Sequence, residues 1–328
     1  MSERERDLIR SDNPWGIGSG KKPLAPRPDG GGFPWRQTLL ITVGAIAIYA
    51  GVRMMPTASN LNHMDFRAEG KGAIEFCDPA NPQFIPVVAV RSPVQVGLKS
   101  DRPPAINQPV EFTLTLTTAG GKAIGPADLL VAHTRTLHLL VVDPTLNDYQ
   151  HVHPEPGRKP GEWVFKLTPA RPGTYRVFAD FTPAATARGL YASADFEVPG
   201  TVANVMRSTN NTWQGQGLNF FLDTPTVFRA GEVTDLKFRV EAQGTEKRPV
   251  VLEPVMDAFA HLVTFDEART GFAHLHPNET DLSVAPDPLK PTLSFKVTIP
   301  QPGRYVIWAQ LSIAGREIFV PFWIDVLP

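Results

Sequence analysis

Cysteine is nearly absent: Cys77 is the single thiol among 328 residues. One thiol excludes an internal disulfide, a C-x-x-C redox pair, a cysteine zinc site and a C-x-x-C-H haem attachment, so any metal must rest on other ligands. A blue-copper centre falls with them, since it needs a thiolate. Cys77 lies in the turn-like stretch Phe76-Cys77-Asp78-Pro79 and reads as an unpaired thiol rather than a nucleophile. Charge of one sign is lacking too. With 32 Lys and Arg against 33 Asp and Glu, the net charge is -1 and the pI about 6.7. No basic surface is available for a phosphate backbone, which excludes nucleic acid as a partner. Gly-rich phosphate loops, a G-x-S-x-G elbow and H-E-x-x-H are all missing. No nucleotide cofactor is therefore expected, and the chain reads as non-enzymatic.

What is abundant is proline and glycine, 33 and 26 residues, within an ordinary 42% hydrophobic and 20% charged composition. That balance describes a folded, turn-rich chain rather than a disordered one or a helical bundle. The length suggests two domains plus attachments.

From Gln37 to Val52 there is no charge, and Arg36 and Arg53 flank the run. Extended by Phe33 to Trp35 before it and Met54 to Met55 after it, with the arginines snorkelling, it reaches the ~20 residues that a bilayer core requires. Trp35 and Tyr49 suit the interface. A cleaved signal peptide is the rival reading, although a leader of this length is unusual and no clear A-x-A site follows. Arg4, Arg6, Arg10, Lys21, Lys22, Arg27 and Arg36 precede the span, while only Arg53, Arg67 and Lys71 follow closely. The positive-inside rule then puts the N-terminus in the cytoplasm and the bulk in the periplasm of a bacterial inner membrane, in a single pass.

The rest of the chain repeats itself. His138-Leu-Leu-Val-Val-Asp through His151-Val-His153-Pro154 returns 123 residues later as His261-Leu-Val-Thr-Phe-Asp through His274-Leu-His276-Pro277. A second match, Phe165 through Pro172-Gly173-Thr174-Tyr175, meets Phe295 through Pro302-Gly303-Arg304-Tyr305 at an offset of 130. This is a duplicated domain. Each copy consists of short β-branched and aromatic runs punctuated by turn residues, without amphipathic helices. The expected fold is therefore all-β: two tandem immunoglobulin- or cupredoxin-like antiparallel sandwiches behind one transmembrane helix. The expected bounds are a cytoplasmic Gly/Pro-rich arm 1–34, transmembrane helix 35–55, periplasmic linker 56–92, first sandwich 93–199, connector 200–217 and second sandwich 218–328.

Spacing turns the histidines into geometry. If Asp143 faces Asp148 across a four-residue loop, His138 lies opposite His153 and Leu140 opposite His151, with all three imidazoles on one face. The same register gathers His261, His274 and His276. Imidazole-only ligation suits copper or zinc. Met256 falls at the repeat position of His133, and these two are the weaker candidate ligands. The competing reading is a buried face: the same register collects Leu140, Val142 and Tyr149, or Val263, Phe265 and Phe272, so the histidines would be hydrogen-bonded core residues. His63 reads as solvated.

At these residues the chain resembles a family of exported bacterial proteins with immunoglobulin-like domains, in which a leading histidine precedes an H-x-H-P hairpin. The resemblance covers roughly 93–328 and implies copper or heavy-metal handling. The layout is also similar to accessory subunits of membrane electron-transfer complexes, such as the extra periplasmic subunit of a gemmatimonad-type photosynthetic reaction centre. That likeness implies integral membrane subunits as partners of the helix and arm, and a periplasmic redox protein such as a cytochrome docked on the sandwiches. A scaffold subunit is the expected function, and a copper or zinc binding protein the alternative.

Overall fold

A computed structural model describes residues 35–54, 61–66, 82–205, 208–244 and 248–328. The arm 1–34 and Cys77 lie outside them. The chain forms two compact units, Met1–Thr57 and Ala58–Pro328.

In the first unit Trp35–Met54 is one α-helix of 20 residues. At 1.5 Å per residue it is about 30 Å long, the thickness of a bilayer core. Its apolar side chains face outward, with Leu40 72% and Ile41 73% exposed. By length and composition it suits a membrane anchor or a signal sequence.

The second unit holds both sandwiches, each with two antiparallel sheets among the described residues. In the first sandwich, one sheet is built on Val94–Ser100, Val110–Thr118 and Glu162–Leu167. The other is centred on Leu137–Val142 and Gly173–Pro183, flanked by Tyr149–Val152 and Leu190–Val198. The second sandwich repeats this plan. Leu218–Asp223, Val233–Ala242 and Thr292–Thr298 form one sheet, and His261–Asp266, Phe272–Leu275, Gly303–Ile313 and Arg316–Val326 the other.

Side-chain alternation explains where the cores sit. Along Val110–Thr118 every second residue is buried, and Phe112, Leu114 and Leu116 point into the first core with Trp163 and Tyr175. Leu137–Val142 is buried on both faces. Leu139 and Val141 belong to the first core, whereas Leu140 and Val142 enter a different cluster shared with Val263, Phe265 and Phe272 of the second sandwich. That cluster is the seam between the repeats. A strand buried on both faces reads as a continuous apolar run, and here the second face is covered by the other copy.

The seam is built from reciprocal contacts. Phe178 of the first repeat meets Phe272 of the second at 5.4 Å, and the equivalent Trp308 meets Tyr149 at 5.8 Å. Trp308 Nε1–H donates to Leu146 O, and Arg176 donates to Arg269 O, the repeat equivalent of Leu146. Each copy thus offers the same patch to the other, as in a twofold interface.

Two stretches differ from their expected roles. Phe84, within the expected linker, packs into the second core, and Ile85 enters the seam while exchanging backbone hydrogen bonds with Phe272. Gly271 is needed beneath it: a Cβ there would lie 1.8 Å from Ile85 O. Proline on either side of Gln83-Phe84-Ile85 makes the segment read as loop, yet its alternating side chains serve two cores. Thr212–Gly215, within the expected connector, pairs with Leu218–Asp223 as the edge strand of the second sandwich.

Candidate metal centre

Both hairpins adopt the expected register. Leu140 pairs with His151 and Val142 with Tyr149, while Val263 pairs with His274 and Phe265 with Phe272. The Asp143 carboxylate holds the first loop by accepting from the N–H groups of Thr145, Asn147 and Asp148. Asp266 does the same in the second loop for Thr270 and Gly271. These Asx-type bonds fix the loop and therefore which residues oppose one another.

The outcome is two triads, His138-His151-His153 and His261-His274-His276. In each, one ring nitrogen from every member lies within 4.8 Å of the others. In the first triad His138 Nδ1 stands 3.2 Å from both His151 Nε2 and His153 Nε2. Nitrogens that far apart, each bonded to a common ion at about 2.0–2.1 Å, subtend about 100–106° at it, close to tetrahedral.

The outward nitrogens decide what the inward ones carry. His138 Nε2–H donates to Ala132 O at 3.0 Å, and His261 Nε2–H to Val255 O at 2.9 Å. His151 Nδ1 faces Gln310 Oε1 at 2.8 Å, and Gln310 Nε2–H2 is committed to Glu317 Oε2 at 2.9 Å. The amide is therefore oriented with its oxygen toward His151, whose Nδ1 must donate. His274 Nδ1–H donates to Asp180 Oδ2 at 3.3 Å. Each of these four rings spends its one proton outward and turns a lone pair inward. His138 Nδ1 and His151 Nε2 thus present lone pairs to each other across 3.2 Å. In the second triad His261 Nδ1, His274 Nε2 and His276 Nε2 are buried without a hydrogen-bond partner. His261 Nδ1 and His274 Nε2 are thereby bare buried acceptors, which cost about 1–3 kcal/mol each. A cation placed among them satisfies all three.

Charge reinforces this. Burial, the largest cause throughout, holds all seven of these imidazoles, His133 included, below their ordinary range: His261 at about 4 and His153 at about 3. The rings are neutral at pH 7, the state in which imidazole ligates. The contact of His274 with Asp180 is accordingly a hydrogen bond to a carboxylate rather than an ion pair.

The two triads also face each other. His151 and His274 rings are 5.4 Å apart, and His138 and His274 5.9 Å. The outward partners are exchanged across the seam: Gln310 of the second repeat orients His151 of the first, and Asp180 of the first orients His274 of the second. The sequence reading missed both. Their signal was present, since Asp180 and Gln310 occupy the same place at the 130-residue offset and pair with His138 and His261 in register. Both sequence readings of the histidine face hold together here, for the imidazoles converge and the face is buried under the other repeat. His133 is drawn in as well, its ring 3.8 Å from that of His276. Met256 is half-buried on the equivalent turn. His63 is exposed, as expected.

Fold and site together define a class: a tandem β-sandwich protein with two buried histidine triads that can each hold a metal ion. The chain belongs to the family described as "Domain of unknown function (DUF8832)", whose model matches twice, at residues 89–199 and 213–327. No curated protein matches it. Among solved structures, trypsin-activated alpha-2-macroglobulin from Escherichia coli aligns at 13% identity with a TM-score of 0.22. The alignment covers 72% of this chain and 16% of that one.

Proposed function

We propose that this is a membrane-anchored metal-binding protein of the bacterial periplasm, holding one copper or zinc ion in each histidine triad. The observation that carries the reading is the tautomer pattern: carbonyl, amide and carboxylate acceptors take the outward protons and leave lone pairs converging on two points. Such outward partners are the usual support of a metal-bound imidazole. A ligand set of neutral nitrogen donors suits copper and zinc rather than magnesium or calcium. The sites serve to hold and hand over ions rather than to turn over a substrate, since they lie within a seam packed by aromatic side chains. His133, His153 and His276 are half-buried and mark the side from which an ion enters. The full chain in detergent, stripped of metal and titrated with copper or zinc, should bind two ions per chain, and His151→Ala should bind one. A chain that takes up neither metal sinks the proposal.

A second reading is favoured by the helix Trp35–Met54, whose apolar surface runs all round rather than along one stripe. Such a helix can pack against other transmembrane helices as well as lipid. We propose on this basis a scaffold subunit of a membrane electron-transfer complex, a photosynthetic reaction centre being one such assembly. Its sandwiches would dock a periplasmic redox partner such as a cytochrome. Gentle detergent extraction followed by native electrophoresis should show the chain migrating in a complex; migration at its own mass would end the subunit reading.

A further inference from the structure

We infer that the two metal sites have different preferences: the second triad takes a divalent ion through a fourth histidine, and the first takes Cu(I) through a methionine thioether. In both cases the fourth ligand crosses the seam from the other repeat. The inference rests on the metal-binding reading above and deepens it.

The turns that precede the leading histidines are equivalent. Ala132 and Arg135 close one through backbone hydrogen bonds, Val255 and Ala258 the other. His133 and Met256 stand at the same point of these turns, with φ of 49° and 50°. The carbonyl just before each accepts the proton of its repeat's leading histidine. Each turn is thereby clamped to its own triad.

Yet His133 reaches across. Its ring lies 3.8 Å from that of His276 and 6.2 Å from those of His261 and His274. Aromatic contacts across the seam recur at equivalent positions, as in Phe178 with Phe272 and Trp308 with Tyr149. Applied to the equivalent turn, that relation would direct the half-buried Met256 toward the first triad, His138, His151 and His153.

A second pair of equivalent positions diverges in the same sense. His274, in the triad that His133 approaches, donates to the carboxylate of Asp180, while His151, in the triad that Met256 approaches, donates to the neutral amide of Gln310. A carboxylate behind an imidazole raises its basicity and adds negative charge, which favours the more highly charged ion. Four nitrogens with an anion behind them suit Zn(II) or Cu(II). Three nitrogens and a polarisable thioether with a neutral amide behind them suit Cu(I).

The test uses the full chain in detergent, stripped of metal and offered Zn(II) and Cu(I) together under anaerobic reducing conditions. One ion of each per chain is expected, with a sulfur scatterer in the copper X-ray absorption spectrum that Met256→Leu removes. Met256→Leu should lower Cu(I) affinity at least tenfold against a competing chelator, and His133→Ala should lower Zn(II) affinity at least tenfold. Two ions of one kind, or copper surrounded by nitrogen alone, would overturn the inference and leave the metal-binding reading intact. No uptake of either ion would overturn both.

Discussion

Metal saturation is expected to raise the free energy of unfolding by about 4 kcal/mol for each site when free ion stands a thousandfold above its Kd. The effect arises because the donors meet only in the folded chain. His138 is separated from His151 and His153 by a hairpin loop, and in the unfolded chain the rings share no common point. Calorimetry of metal-loaded and chelator-treated protein measures the gain directly. His274→Ala should remove about half of the gain, leaving the first triad's share. An unfolding temperature indifferent to both ion and chelator would count decisively against occupied triads.

The metal-free chain should lose stability as the solution is acidified below about pH 6.5. The sign follows from burial. His261 is held at about 4 in the folded protein chiefly by desolvation, against an ordinary value of 6.5. Between those values the unfolded chain binds a proton that the folded chain refuses, so stability is complete above pH 6.5 and falls as pH drops toward 4. At about 1.4 kcal/mol per pH unit, His261 alone accounts for about 3 kcal/mol. His151 and His274 lie well below the usual range for the same reason and push in the same direction. Asp180 opposes them: burial raises its carboxyl, with His138 and His133 partly offsetting, so it takes up a proton first in the folded state. Three desolvated imidazoles outweigh one carboxylate. Urea denaturation midpoints at pH 7.5, 5.5 and 4.5 should therefore fall in order. A flat series would show that the rings are hydrated.

Much of this was legible in the sequence because a hairpin is local. The register of His138 with His151 and His153 follows from loop length and strand alternation, and both depend on residues within one stretch of chain. The sandwiches follow likewise from short apolar runs between turns. What the sequence did not disclose is non-local. Nothing in Leu140, Val142 and Tyr149 says whether they face their own core or another repeat, because both environments ask for the same residue types. The exchange of Asp180 and Gln310 between triads is invisible without knowing that the two faces meet. Phe84 and Ile85 were hidden by the prolines around them, since proline marks a loop locally while burial is decided by what packs above it. The arm 1–34 and the orientation of the helix remain readings of charge and composition.

The seam between the repeats has the form that two identical molecules would make on pairing. In such a homodimer every position appears twice, so a histidine on one turn obliges a histidine on the other, and a carboxylate behind one triad obliges its twin. Joining the copies in one polypeptide lifts that obligation. His133 can then differ from Met256, and Asp180 from Gln310, while the shared surface that brings them together stays as it was.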